Sequence, residues 1–306
     1  MLDLESFFMY FWPHLLTILM ISYNTKDWFT FIFRFHKADT FRTLFPIMIA
    51  IGVYSALIGY AEVEIWKIGE KSYLKNITIM HGMLGFVISL LLVFRTNTAY
   101  DRWWEGRKLW GSLVNNSRNL ALKLSVILED ENDKAYFRKI IPSFAAVLHK
   151  HLNNSEVTKQ LFEDVDLEID HHKHKPNQVA KKLFHRINDL YLEKKISGDQ
   201  LIVLNAEIQS FTEICGACER IKNTPIPYSY SAFIKKFIFF YVMTLPFGYS
   251  FSLGYYTAPV VVFIFYVLAS LELIAEEIED PFGGDENDLP TQKISENIKR
   301  HVEELL

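Results

Sequence analysis

Long apolar stretches with almost no charge limit what this 306-residue chain can fold into more than any other feature. Phe45–Ala61 and Ile77–Phe94 contain no Asp, Glu, Lys or Arg, and Phe237–Ala275 contains a single charged residue. A helix that spans a bilayer needs about 20 mainly apolar residues. The third region is long enough for two helices, which we expect over Phe237–Ser252 and Ala258–Ala275. The chain is therefore predicted to cross a membrane four times.

The overall composition is consistent with four membrane spans, but only when the positions of the apolar residues along the chain are considered. The mean hydropathy of +0.09 averages apolar spans with a charged region, so by itself it does not separate soluble from membrane proteins. A soluble protein with four buried helices is the alternative, but buried core helices are usually shorter than these runs. Half of the residues are hydrophobic and only two are Cys, which excludes a disordered chain and a disulfide scaffold. The net charge of −4 argues against a nucleic-acid partner.

A charged region separates the second apolar run from the third. Its apolar residues recur at helical spacing, for example Leu183, Ile187 and Leu190, and strand patterns are absent. The predicted fold class is thus an all-α membrane protein with four transmembrane helices and a large helical cytoplasmic region. The predicted parts are an N-terminal cytoplasmic or interfacial segment 1–42, transmembrane helices 43–94, a cytoplasmic region 95–236, transmembrane helices 237–275 and a cytoplasmic C-terminal segment 276–306.

The distribution of Lys and Arg predicts the orientation in the membrane. Positive residues flank the spans on one side, including Arg34 and Arg42 before the first, Arg95 after the second and Lys235 before the third. Positive flanks stay in the cytoplasm. We therefore expect a multi-pass protein of the inner (plasma) membrane with both termini in the cytoplasm. Residues 1–19 have no basic signal-peptide start, and the sequence leaves open whether translation begins at Met1 or Met20.

Motifs for catalysis are absent, so no enzyme is predicted. The chain has no dinucleotide-binding, P-loop, HExxH or GxSxG pattern. Cys215 and Cys218 form one C-x-x-C, but a zinc site would need two more ligands at matching spacing, so we interpret them as packed helix residues. His residues cluster at 149 and 151 and at 171, 172 and 174, and could bind a transition metal. Because no carboxylate or Cys pattern completes a site, a solvated loop is the favoured interpretation.

Four segments together resemble the bestrophin family of channel proteins, especially its prokaryotic branch. They are RTNTAYDRWWEGRKLWG at 95–111, FHKADTFR at 35–42, CERIKNTPIPYSY at 218–230 and EEIEDPFGGDENDLP at 276–290, in the family's order. The resemblance covers the chain from about Met20 to its C-terminus. It implies a homopentameric ion channel whose second span lines a narrow pore.

The resemblance also implies a hydrophobic neck of three side chains per subunit, which fall on Phe86, Leu90 and Phe94. Their spacing of i, i+4 and i+8 agrees, because such residues share one helix face. Five copies would stack three apolar rings, and such constrictions can gate by dewetting. A second, cytoplasmic constriction is expected within Ile196–Leu204, with Leu201 as the tentative residue.

Animal members of the family hold calcium in an acidic clasp, and Asp285 and Asp288 match its outer carboxylates. Gly284 and Asn287 stand where animal members carry acids, and fewer carboxylates usually mean weaker calcium binding. Calcium is therefore a possible cofactor and no other is implied. The alternative interpretation is an acidic solvated turn.

The sequence leaves ion selectivity open. Family analogy favours chloride or other anions, but cations remain possible, since apolar rings carry no charge preference. Arg95 beside the neck either favours anions or is held in ion pairs. The expected partners are inorganic ions, membrane lipid and further copies of the chain. The alternative functions are a membrane-anchored scaffold or sensor and a secondary transporter, although four unrelated spans do not suit the inverted repeats of transporters.

Overall fold

A computed structural model describes residues 40–66, 77–155, 170, 172–285 and 287–306. Most of the segment 1–42, with Met1 and Met20, lies outside these ranges, as do His171 and Glu286. All regular secondary structure in the described ranges is helical. The α-helices are α1 Thr40–Tyr60, α2 Ile77–Ile127, α3 Glu131–Leu152, α4 Lys175–Leu192, α5 Gly198–Asn223, α6 Tyr228–Leu253, α7 Thr257–Glu279 and α8 Thr291–Leu305.

Four of these helices are long and apolar enough to cross a membrane, as the sequence predicts. They are α1 with the π-helical turn Ala61–Ile65 that continues it, α2, α6, and α7 with the 3-10 turn Gly254–Tyr256 before it. Helix α7 packs against the other three. Their shared core consists of Leu44, Ile51, Ile88, Leu92, Ile234, Ile238, Val242, Leu245, Val261, Phe265 and Leu268.

Helix α2 runs unbroken for 51 residues, well beyond its apolar part. It has no Pro, and its Trp, Leu, Lys and Arg residues are compatible with helix over the whole length. The predicted division at residues 94 and 95 therefore marks a change of composition inside one helix. The same rigid element carries the apolar span and the beginning of the charged region.

The third span begins earlier than the sequence predicts. Helix α6 starts at Tyr228, directly after the N-cap Pro227, whereas the apolar run predicts a start at Phe237. The charged pair at 235–236 hides this start from a hydropathy argument. Gly254, with φ of +53°, follows the last residue of the helix, and a positive φ is a conformation that Gly adopts without strain.

Outside the spans, α3, α4, α5, α8 and the C-terminal half of α2 form a second core, here called the extramembrane bundle. The helical pattern of Leu183, Ile187 and Leu190 is confirmed, because all three side chains are fully buried in it. Cys215 and Cys218 are also buried there as free thiols. Burial raises the pKa of both thiols, for Cys215 to about 12, which makes them poor nucleophiles.

Candidate functional site

The three side chains assigned to the neck lie on one uncovered face of α2. Phe86, Leu90 and Phe94 are 71%, 45% and 56% exposed in the single chain. The opposite face is fully buried against the other spans, as Ile88 and Leu92 show. Within one chain, one side of α2 therefore packs against the other spans, and the apolar row on its other side is left exposed.

The uncovered row continues towards the start of α2. Ile79 and Met83 are each 69% exposed and lie on the same helix face as Phe86. An apolar surface of this size on a spanning helix needs lipid or another protein surface against it. The described residues of one chain do not cover this row.

His81 fixes the buried face of α2 inside the membrane layer. Its ring is fully buried, and its Nε2 lies 3.0 Å from the hydroxyl of Thr244 on α6. The ring also stacks on Tyr249, with centroids 6.0 Å apart. A Cβ on Gly248 would lie 3.0 Å from His81 Nδ1, so a small residue is needed there. These contacts set which face of α2 remains uncovered.

Arg95 is held in ion pairs and does not face the row. Its side chain is 1% exposed, its Nη2 lies 2.6 Å from Glu279 Oε2, and its Nε lies 3.5 Å from Glu272 Oε2. Both carboxylates belong to α7. Of the two roles that the sequence leaves open for Arg95, the structure therefore selects the paired one.

Glu279 connects α2 and α7 to the link between α5 and α6. Its Oε1 accepts a hydrogen bond from the Ile226 backbone N–H at 2.6 Å, and its carbonyl accepts one from Arg102 Nε at 2.9 Å. Arg102 also donates to the carbonyls of Ile221 and Thr224, each at 2.6 Å. The end of the last span, the middle of α2 and the entry to α6 are thereby joined in one network.

The turn after α7 packs against α2 just beyond this network. Trp103 Nε1 donates to the Asn287 carbonyl at 3.1 Å. A Cβ on Gly106 would lie 3.1 Å from both Phe282 and Leu289, so this turn needs Gly on the facing helix. Trp103 and Gly106 of segment 95–111 therefore contribute to the surface on which the turn after α7 packs.

The two predicted calcium ligands differ in their surroundings. Asp288 Oδ2 accepts backbone hydrogen bonds from Asp285, at 2.7 Å, and from Gly284, while Oδ1 is buried without a hydrogen-bond partner. The Asp285 side chain is exposed. No three acidic side chains among the described residues of this turn bring ligand atoms together. Calcium takes six to eight oxygens, so the described residues do not fit a calcium cage and calcium binding stays a prediction.

Asp288 should make stability depend on pH. Burial raises its pKa to about 7 against the opposing effect of its backbone hydrogen bonds, and Asp285 and Asp280 add repulsion. The folded pKa thus exceeds the unfolded value of about 3.9, so this contribution to stability is complete below about pH 4 and is lost as the pH rises through about 7. We expect Asp288→Asn to flatten the thermal stability profile over this range. The exposed Asp101→Asn should leave the slope unchanged, and an unchanged slope in Asp288→Asn would contradict this assignment.

Leu201, the tentative second constriction, is half-buried against the core of the extramembrane bundle. Its neighbour Ile202 is 70% exposed on the outside of α5, and Val203 is 46% exposed. The sequence could not separate these residues, because all three are apolar and adjacent. Their burial can be read only once the packing of α5 is known.

Fold and site together define a multi-pass, all-helical membrane protein with an apolar row left uncovered on its second span. Residues 20–304 match the model of a family described as Bacterial/Fungal Bestrophin protein. The chain belongs to the bestrophin family. The resemblance carried by the four sequence segments is thereby confirmed, as is the expectation that the chain is not an enzyme.

Similar proteins cover nearly the whole chain. A protein of Nostoc sp. named voltage-dependent anion channel-forming protein alr2987 is 34% identical over 295 residues, 92% of each chain. The Escherichia coli protein of the same description, YneE, is 29% identical over 92% of each chain. A crystal structure of a variant of a bacterial bestrophin homologue from Klebsiella pneumoniae is 26% identical, with a TM-score of 0.74 over 86% of this chain and 99% of that one.

Proposed function

We propose that this chain forms a channel for small monovalent anions such as chloride, with a pore lined by α2. The observation that carries the proposal is the uncovered row Phe86, Leu90 and Phe94 on a spanning helix whose opposite face is buried. The names of the similar proteins, which describe voltage-dependent anion channel formation, support anions over cations. Permeant ions and membrane lipid are then the chain's non-protein partners.

The proposed assembly is a homopentamer. One chain cannot enclose a pore with a single helix, and the uncovered apolar face of α2 needs a partner. Five copies around one axis would turn each neck residue into a ring, and closed cyclic symmetry is the usual arrangement of such assemblies. Other copies of α2 are then the surface that the row faces.

The neck would act as a barrier because its rings offer an ion no polar groups. A narrow apolar constriction loses its water, and an ion without hydration cannot cross it. Widening the rings admits water and ions together. Arg95 does not contribute an unpaired charge to this barrier, because its guanidinium is paired with Glu272 and Glu279.

For the second constriction, exposure favours Ile202 over Leu201. Leu201 uses its side chain for packing in the extramembrane bundle, whereas Ile202 extends away from it. If the two helix positions are tested separately, Ile202→Ala should change conduction more than Leu201→Ala. Both variants would be recorded under the same ion gradient.

The inner-membrane location and the cytoplasmic termini stay predictions from the positive flanks. In support, α2 carries Arg102, Arg107 and Lys108 directly after its apolar part. Reporters that are active on only one side of the membrane, fused within residues 67–76 and at the C-terminus, would give opposite signals under this topology.

Ion-substitution recording from purified protein in planar bilayers tests the proposal. We expect unitary currents whose reversal potential follows the chloride gradient and not the cation gradient. A reversal potential that follows the cation gradient would contradict the anion assignment, but it would still support the proposal that the protein is a channel. Slow saturable flux would favour a transporter, and a complete absence of flux would favour a scaffold or sensor.

A further inference from the structure

Three helices of the extramembrane bundle bring two imidazoles and a carboxylate together. His151 lies in the last turn of α3, His174 is the N-cap of α4, and Glu219 lies on α5. The Nε2 atoms of His151 and His174 lie 2.6 Å and 2.5 Å from the same oxygen, Glu219 Oε1. One ligand atom from each residue lies within 4.8 Å of the other two.

We propose that His151, His174 and Glu219 form a binding site for a divalent transition metal ion, for which Zn²⁺ is the first ion to test. Imidazole nitrogen and carboxylate oxygen are zinc ligands, whereas calcium and magnesium take oxygen donors almost exclusively. The site shares no residue with α2's uncovered row or with the acidic turn. It does not depend on the proposed channel function.

The geometry is that of ligands drawn together by hydrogen bonds in the absence of an ion. Tetrahedral zinc with bonds of about 2.0–2.1 Å keeps its donor atoms about 3.3 Å apart. The imidazole nitrogens therefore have to retreat from Glu219 by less than about 1 Å, which rotation about side-chain bonds can supply. All three side chains are about one-quarter to one-third exposed, so water can reach a fourth coordination position.

The proton on His174 is the group that the ion displaces. Its Nδ1 accepts a hydrogen bond from the Asn177 backbone N–H at 3.2 Å, which places the proton of the neutral ring on Nε2, towards Glu219. A neutral imidazole carries one ring proton, so metal binding at Nε2 requires that proton to move to Nδ1, and the cap bond from the Asn177 N–H is then lost.

The positive charge of Lys222 opposes cation binding at the site. Lys222, one turn after Glu219 on α5, directs its ammonium to the Leu152 carbonyl and to Asn154 Oδ1, 2.7 Å away. Its charge repels a cation at Glu219. Lys222→Met should therefore tighten metal binding, which gives a variant whose expected change has the opposite sign to that of a ligand deletion.

Both groups of His residues are visible in the sequence, but the sequence does not show that one His from each group lies beside the other in the fold. The site takes one His from the group at 149 and 151 and one from the group at 171, 172 and 174. Of the remainder, His149 faces the hydroxyl of Thr291 and His172 is exposed, while His171 lies outside the described residues. The completing carboxylate is 45 residues further along the chain from His174, so no short spacing motif could reveal it.

The test is metal binding to the full-length protein, purified without a His tag. Calorimetry with Zn²⁺ gives stoichiometry and affinity, and Co²⁺ reports the ligand set through its visible absorption. We expect one ion per chain and at least about tenfold weaker binding in His151→Ala, His174→Asn and Glu219→Gln. Asn preserves the helix cap at 174, which separates loss of a ligand from loss of the fold.

The exposed pair of His185 and Asp189 supplies the matched control, since its two side chains also join an imidazole and a carboxylate, 3.2 Å apart. His185→Ala should bind Zn²⁺ as the unaltered protein does. Binding that survives in both His151→Ala and His174→Asn would overturn the proposal. So would the absence of any Zn²⁺ binding to the unaltered protein at neutral pH.

Discussion

Replacing Phe86, Leu90 and Phe94 together by Ala should raise single-channel conductance several-fold or hold the channel open. The three side chains are large and lie in one row on α2, so their truncation widens every proposed ring at once. A wider apolar constriction stays hydrated and loses its dewetting barrier. Planar-bilayer recordings of the purified variant measure both conductance and open probability. Because none of the three side chains is buried within its own chain, the subunit fold should survive.

Phe263→Ala is the matched control for this experiment. Phe263 is 65% exposed and lies on α7, a spanning helix that the proposal does not assign to the pore. Its truncation removes a Phe of similar exposure from the membrane layer and should leave conductance unchanged. If the triple variant also conducts as the unaltered protein does, the assignment of the neck is wrong.

Replacing Arg95 by Met should destabilise the protein by about 3–5 kcal/mol, the usual effect of removing one partner from a buried ion pair. Glu272 is 3% exposed, and neither of its oxygens has a hydrogen-bond partner, so loss of Arg95 leaves its charge without compensation. Glu279 would lose its ion pair with Arg95 at the same time. Thermal unfolding of the detergent-solubilised protein measures the effect.

An exposed ion pair supplies the comparison. Arg220 and Glu105 lie 2.7 Å apart, but their side chains are 65% and 42% exposed. Arg220→Met should therefore change stability by no more than about 1 kcal/mol. In the double variant Arg95→Met with Glu272→Leu, much of the lost stability should return, because the uncompensated charge is gone. Equal effects of Arg95→Met and Arg220→Met would show that burial does not decide the outcome.

The sequence predicts the membrane layer well, because bilayer spanning depends on a property of contiguous residues. The uncharged run Ile77–Phe94 falls inside α2, and Phe45–Ala61 falls inside α1 and the π-helical turn that continues it. The ends of helices are harder to predict from the sequence, since they depend on local backbone geometry. Pro227 starts α6 ahead of two charged residues, and hydropathy gives no signal for such a start.

Contacts between distant segments account for what the sequence could not supply. The pairing of Arg95 joins residues 184 positions apart, and the relation of His151 to Glu219 spans 68. Which of Leu201 and Ile202 packs inward depends on how α5 rotates against its neighbours. In each case the sequence shows the type and charge of a residue, but it does not show which distant residue packs or pairs with it.

The ion pairs of Arg95 hold α2 to α7 at a point nearer to one end of α2 than to the other, and this position affects how a tilt of α2 would move its two ends. Taken about Arg95 as a pivot, the arm to Phe86 is about 14 Å long and the arm to Ile127 is about 48 Å, at 1.5 Å per residue. A rigid tilt about that pivot would move Phe86 in the opposite direction to Ile127 and by about a third of the distance. If α2 lines the pore as proposed, displacements at its far end would reach Phe86 reduced, and the long arm would allow a fine adjustment of the pore radius.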